Sequence, residues 1–400
     1  MKKRVFLVAF LFCFHSSLGL AQESKIDFWG DQKRGANLFN KVETPERLTA
    51  AKKFGIQVVR LAPNKWLNGR PSQQEGDFLI GRPHDQFKAL IADDLVYLKK
   101  VLDDANRTGL KVVLTMLSLP GSRWKQHNQG VEDRRIWQDF AQQEAAVSFW
   151  KQLAFALKDH PAIVGYNIRN EPSPELTQPI FKDWFGGNYA LWYKGVKNTP
   201  ADLNLFYRKI IKGIREVDLN TPIIVDSGFY ATAWGFKIME AIPDDKIIYS
   251  FHMYEPYAFT SRLNQGKYKY PGKAPIGESS NPPLIEWNKR ELENYLKPIS
   301  EWQDKYQIPS NRIFVGEVGV YRTNSGAEAY LRDTLQILNQ KKWHWAFYSF
   351  REDTWAGMDY ELGTGKPGRA YWQAIEKGKA PDESVYKSNP LSELLKAALK

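Results

Sequence analysis

The stretch "IVGYNIRNEP" (163–172) is apolar for its first four residues, then turns polar and stops at a proline. A continuous apolar run of this length fits a strand covered on both faces, as in a parallel sheet, and not the alternating pattern of a half-wet antiparallel one. Seven other runs share the character: "GANLFN" (35–40), "IQVVRL" (56–61), "KVVLTML" (111–117), "PIIVDSG" (222–228), "IIYSFHMY" (247–254), "IFVGEVGV" (313–320) and "WAFYSF" (345–350).

Amphipathic segments separate these runs. "TPERLTAAKKFG" offers Thr44 as an N-cap, Pro45 at the first helical position and Gly55 as a stop. Leu95, Leu98, Val101 and Leu102 fall at helical spacing within 91–109. Further helices are expected near 135–159, 201–217, 286–306, 326–341 and 370–377, with a weaker one near 231–241. Eight strands alternating with helices, without a linker or repeat, predict an α/β fold: a single-domain (β/α)8 TIM barrel over residues 22–380 with long βα loops. The rival open doubly wound sheet lacks its G-x-G-x-x-G turn. Residues 381–400 are expected as a tail packed on the barrel or frayed.

Residues 1–21 have the layout of a secretory signal peptide: Lys2, Lys3 and Arg4, then "VFLVAFLFCF", then a small-residue exit ending at Ala21. The expectation is a secreted or periplasmic protein with no membrane span, acting as a monomer. The only cysteine, Cys13, falls in the segment to be removed, which excludes disulfides, thiolate metal sites and cysteine nucleophiles from the mature chain. Removing the three basic residues leaves 53 Lys and Arg against 45 Asp and Glu. That excess is scattered along helical segments that also carry acids, a pattern that does not suggest nucleic acid. No H-E-x-x-H spacing points to a metal, and no G-x-S-x-G elbow to a serine nucleophile.

A (β/α)8 barrel assembles its chemistry at the C-terminal ends of its strands. Those ends carry Arg60 (second), Asn170 and Glu171 (fourth), Asp226 (fifth), His252 and Tyr254 (sixth) and Glu317 (seventh). Glutamates on strands four and seven face each other across the mouth, where two carboxylates can flank one glycosidic bond. Gly316 and Gly319 beside Glu317 leave room for a ligand. The aromatic content, 14 Trp, 19 Tyr and 22 Phe, suits a groove that stacks on pyranose faces, with Trp124, Trp184, Trp192, Trp234 and Trp355 as candidate platforms.

Asn-Glu-Pro at 170–172, "GEVG" around Glu317, "VVR" closing on Arg60 and "HMY" at 252–254 together resemble the family 5 glycoside hydrolases, the cellulase-like barrels. The resemblance implies a retaining double displacement on a polymeric β-glucan, most closely an endo-β-1,4-glucanase, without a cofactor. It makes Glu317 the nucleophile and Glu171 the acid/base, with Arg60 and Tyr254 holding Glu317 charged and His252 and Asn170 near the substrate. Two positions depart from the family. The third strand ends in Leu117 or Ser118 where a histidine is usual, and the eighth offers Tyr348, with Trp355 further on, where a tryptophan floors the central subsite.

Each residue also has a plainer reading. Arg60 could pair with a carboxylate, His252 could be a satisfied core histidine, and Asp226 a loop cap. β-Mannan, β-1,3-glucan and glycolipids remain alternative substrates, and a sugar-binding barrel without turnover is the alternative from another class.

Overall fold

The computed structural model describes residues 24–66, 77–81, 86–177, 187–277, 282–352, 356–377 and 379–400. Eight parallel strands close a barrel: β1 (Arg34–Leu38), β2 (Val58–Leu61), β3 (Lys111–Thr115), β4 (Ile163–Asn167), β5 (Ile223–Asp226), β6 (Ile247–Met253), β9 (Ile313–Val318) and β10 (His344–Phe347). They pair in that order around the ring, and β10 returns to β1. Between β6 and β9 an antiparallel hairpin, β7 (Gly272–Pro275) and β8 (Leu284–Trp287), rides on a long loop.

The strands end two or three residues earlier than the apolar runs at positions such as Thr115 and Asn167, because the chain leaves the ladder to present polar side chains. The helix Pro45–Phe54 begins as its sequence dictates: the Thr44 hydroxyl accepts from the Arg47 amide, and Gly55 takes φ 105° beyond its end. The expected helix over 286–306 is two, Lys289–Tyr295 and Lys297–Tyr306, with Pro298 in the first turn of the second. Among the described residues no helix is long and apolar enough to cross a membrane.

Two layers fill the barrel. The lower is apolar: Val58, Val113, Val164, Ile224, Ile248, Phe314 and Ala346 each come from a different strand, and Trp29 plugs the floor with its indole N–H on the Val164 carbonyl at 2.9 Å. Two residues further along, where the pleat again points inward, the layer turns polar. Val58 is followed by Arg60, Val113 by Thr115, Ile224 by Asp226 and Ile248 by Ser250, all fully buried.

The C-terminal helix Pro390–Leu399 is capped by Asn389 in a capping box. It buries Leu391, Leu395 and Leu399 between the first helix and the helix Ala327–Gln340, with Leu399 reaching the turn at Gly55.

Candidate active site

Register builds the site. Asn37 of β1 lies beside Arg60 of β2, Thr115 of β3 beside Asn167 of β4, and His252 of β6 beside Glu317 of β9. The β6–β9 register shifts between Phe251 and His252, which turns the imidazole toward the mouth.

Arg60 is the hub and is fully buried. Its guanidinium donates to Glu317 Oε1 at 2.7 Å, Asn37 Oδ1 at 3.1 Å, Asn167 Oδ1 at 2.8 Å and Asn170 Oδ1 at 2.7 Å, and stands 3.5 Å from Asp226. Tyr254 donates to the other Glu317 oxygen at 2.7 Å. Both oxygens of Glu317 thus receive a strong donor. Asn170 spends its carbonyl on Arg60, so its amide nitrogen is the end left for the mouth.

Glu171 sits at the open side, with 31% of its side chain exposed, and its Oε1 lies 2.8 Å from His252 Nδ1. Its backbone is in the left-handed region, φ 48°, and its N–H donates to Asp226 Oδ2 at 3.3 Å. Asp226 also accepts from the Asn167 amide at 3.0 Å and faces His252 Nε2 at 3.6 Å. It thus holds the Glu171 backbone and the Asn167 amide and places its charge beside the imidazole, contacts beyond those of a loop cap. Carboxylate oxygens of Glu171 and Glu317 and a His252 nitrogen lie within 4.8 Å of one another.

Burial pushes the Glu317 carboxyl up, opposed by His252, Arg60 and Tyr254 and reinforced by Glu171, and the net displacement is upward. For His252, burial works downward, but the Glu317 and Asp226 charges and the Glu171 hydrogen bond outweigh it and leave the imidazole above its usual value. Burial and the Glu317 charge hold the Tyr254 hydroxyl well above the tyrosine range, so it remains a donor. Among the described residues, Glu171, His252 and Glu317 are the one trio of ligand-type side chains close enough to share a metal ion. The Arg60 charge 2.7 Å from Glu317 already supplies the local cation, so the trio is poorly suited to another.

Tyr348 follows β10, buried at the edge of the mouth, with its ring edge-on to Phe39 at 5.5 Å. Trp355 and Trp184 lie outside the described residues. Trp192 and Trp234 are not platforms: both are buried, packed on Phe229 and Tyr295 respectively. The space at Gly316 is not left for a ligand either, since a Cβ there would come within 3.0 Å of His252 and Ser250; at Gly319 it would meet the Tyr348 carbonyl at 2.7 Å. The sequence reading overlooked Asn37, Thr115 and Asn167, whose signal is a polar residue inside an otherwise apolar strand.

Comparison with known proteins bears on the family and the fold. Endoglucanase C of Acetivibrio thermocellus is 24% identical over 314 residues, covering 72% of this chain and 80% of that protein. A β-xylosidase of Phanerodontia chrysosporium is 21% identical over 283 residues, covering 68% of this chain and 51% of its own. The crystal structure of an endoglucanase from the hyperthermophilic Thermotoga maritima superposes with a TM-score of 0.61 at 18% identity, covering 94% of this chain and all of that one, which shows the fold. The profile described as Cellulase (glycosyl hydrolase family 5) matches residues 22–354, a span that holds all eight barrel strands and both strand-end glutamates. The chain therefore belongs to glycosyl hydrolase family 5 and is a glycoside hydrolase.

Proposed function

We propose that this protein is an exported retaining endo-β-1,4-glucanase in which Glu317 is the nucleophile and Glu171 the acid/base. The observation that carries the mechanism is the closeness of the two carboxylates, within 4.8 Å, together with their unequal surroundings. Retaining glycosidases hold their carboxyl groups about 5 Å apart, whereas inverting ones need several ångströms more to admit a water.

The donors divide the roles. Glu317 has Arg60 on one oxygen and Tyr254 on the other, donors to the anion that work against the upward push of burial and of the Glu171 charge. Glu171, at the open side of the mouth beside His252, is the carboxyl placed to meet a departing glycosidic oxygen. In the first step Glu317 attacks the anomeric carbon while Glu171 gives its proton to the departing glycosidic oxygen. In the second, Glu171 takes a proton from water, whose oxygen displaces Glu317 from the sugar and restores both groups. The Asn170 amide is placed to donate to a hydroxyl of the reacting sugar.

The β-1,4-glucan substrate rests on the endoglucanases among the relatives, and export on residues 1–21, which lie outside the described residues. Reducing-end release on soluble β-1,4-glucan, β-mannan and β-1,3-glucan, beside Glu171→Gln and Glu317→Gln, tests activity and linkage together. Turnover of β-1,4-glucan that falls by several orders of magnitude in both variants is expected. Equal turnover by the Glu317→Gln variant would overturn the assignment. N-terminal sequencing of the exported protein should begin after Ala21.

A further inference from the structure

The loop that carries Glu171 also carries a buried acid. Glu175, in the short turn Pro174–Leu176, is 3% exposed, and neither of its carboxyl oxygens closes a hydrogen bond of full geometry among the described residues. Its Oε2 would lie 3.8 Å from a Cβ at Gly228, where the turn that follows β5 begins. In that turn Phe229, Tyr230 and Ala231 hold φ of 57°, 55° and 59°. Three successive residues with side chains in the left-handed region are unfavourable and persist only where their surroundings enforce them.

This turn is tied to the backbone of the acid/base. The Tyr230 amide donates to the Pro172 carbonyl at 3.3 Å, and the Glu171 amide, in a residue itself at φ 48°, donates to Asp226 Oδ2 at 3.3 Å. Residues 171–175 and 226–231 therefore brace each other, and the Glu175 side chain lies between them. Gly235 packs against the same turn, since a Cβ there would come within 2.7 Å of the Gly228 backbone. A charge does not suit the place. Burial pushes the Glu175 carboxyl up to about 8, against its own amide, the Phe229 amide and the Arg134 charge. Arg134, from the loop after β3, is committed to the Leu176 carbonyl at 2.7 Å. Tyr230 faces the carboxyl from the turn itself, its hydroxyl held above the tyrosine range by burial and by Glu132, Glu175 and Glu171. At neutral pH Glu175 is thus the uncharged acid, with an oxygen available to the Phe229 amide.

We propose that Glu175, as an uncharged acid between the two segments, is a positioning residue for Glu171: it fixes the left-handed turn after β5 and, through the Tyr230–Pro172 bond, the backbone from which the acid/base projects. This rests on the reading of Glu171 as the acid/base.

The test uses Glu175→Leu, which keeps only the volume, and Glu175→Gln, which keeps an uncharged carbonyl as well. On a series of aryl β-cellobiosides with leaving groups of rising pKa, Glu175→Leu should lose about 10-fold or more in kcat/KM with the poorest leaving group and less than about 3-fold with the best, because only the former needs a well-placed proton donor. Glu175→Gln should recover most of that loss. Thermal unfolding supplies a readout independent of turnover. Unfolded Glu175 ionises near 4.5 and the folded residue keeps its proton to about 8, so the stability it contributes is complete below 4.5 and is lost as pH rises toward 8. The Tm of Glu175→Gln relative to the wild type should therefore climb across that window. A loss equal for all leaving groups, no recovery by Glu175→Gln, or a Tm difference that ignores pH would each overturn the proposal. Absence of leaving-group dependence in Glu171→Gln would instead overturn the acid/base reading on which it rests.

Discussion

Removing a single oxygen, in Tyr254→Phe, tests how the site divides its proton. The Tyr254 hydroxyl donates to Glu317 Oε2 at 2.7 Å, and Arg60 serves the other oxygen at the same distance. A hydrogen bond to a buried charged group contributes about 1.5–3 kcal/mol. All of it favours the anion, so its loss should raise the Glu317 carboxyl further by about 1–2 pH units. The Thr260 hydroxyl bonds the Tyr254 backbone carbonyl, so the loop keeps that anchor. Two effects should appear together in a pH series of kcat/KM on soluble β-1,4-glucan. The acidic limb moves toward neutral pH by about 1–2 units, and the plateau falls roughly 10- to 100-fold as the carboxylate loses its orientation. A lowered plateau with an unmoved acidic limb would refute the argument, because it would mean that Tyr254 contacts substrate without setting the charge of Glu317.

The two glutamates should respond differently to the leaving group. With an activated aryl glycoside that departs without protonation, Glu171→Gln should keep far more of its first-step rate than Glu317→Gln, and accumulation of the glycosyl-enzyme by mass spectrometry would show it. At the barrel floor, the His344 imidazole accepts from the Lys33 amide at 2.8 Å and its other nitrogen meets the Asn311 carbonyl at 3.1 Å, while burial pushes it down to about 4. Its unfolded counterpart takes up a proton near 6.5, so stability from this group is complete above that pH and is lost as pH falls from 6.5 toward 4. The loss is about 3 kcal/mol, and calorimetry across that window should find a flatter dependence in His344→Gln. Leu395→Ala in the C-terminal helix should cost about 2–5 kcal/mol of stability, since Leu395 is fully buried; a loss below 1 kcal/mol in denaturant titration would show that this helix is not integral to the barrel.

The barrel was legible because parallel strands buried on both faces leave continuous apolar runs, and the chemistry at their ends because such folds place it there. What escaped follows from the same cause. In "IVGYNIRN" Asn167 stands out as a polar residue ending an apolar run, but the string does not say which way it faces or that it meets Arg60 and Asp226. Only the register with β3, which sets it beside Thr115, reveals the polar layer. Lys65 and Glu352 are 287 positions apart and meet only when β10 closes on β1. Trp192 and Trp234, both buried, showed that an aromatic in a segment after a barrel strand says little about whether it lies over the cleft or folds back into the core. Residues 381–400 were expected only as a packed or frayed tail, although Asn389, Pro390 and leucines four apart carry the signal of the helix Pro390–Leu399 that forms there.

The polar layer explains why the departures at strands three and eight need not disable the site. Of the groups that shape Glu317, Arg60 comes from strand two, His252 and Tyr254 from strand six, and the Asn37 and Asn167 that fix Arg60 from strands one and four. Strand three adds the Thr115 hydroxyl, which donates to Asn167 Oδ1 at 2.8 Å and so steadies the acceptor on which Arg60 rests. Further along that strand, Leu117 and Ser118 hold the second-strand loop through their backbone amides on Asn64 Oδ1. That bond anchors the residue next to Lys65. The place where the third strand departs from its family thus anchors the loop after β2, while Glu171, Glu317 and the Arg60 and Tyr254 that hold Glu317 come from other strands and their ends.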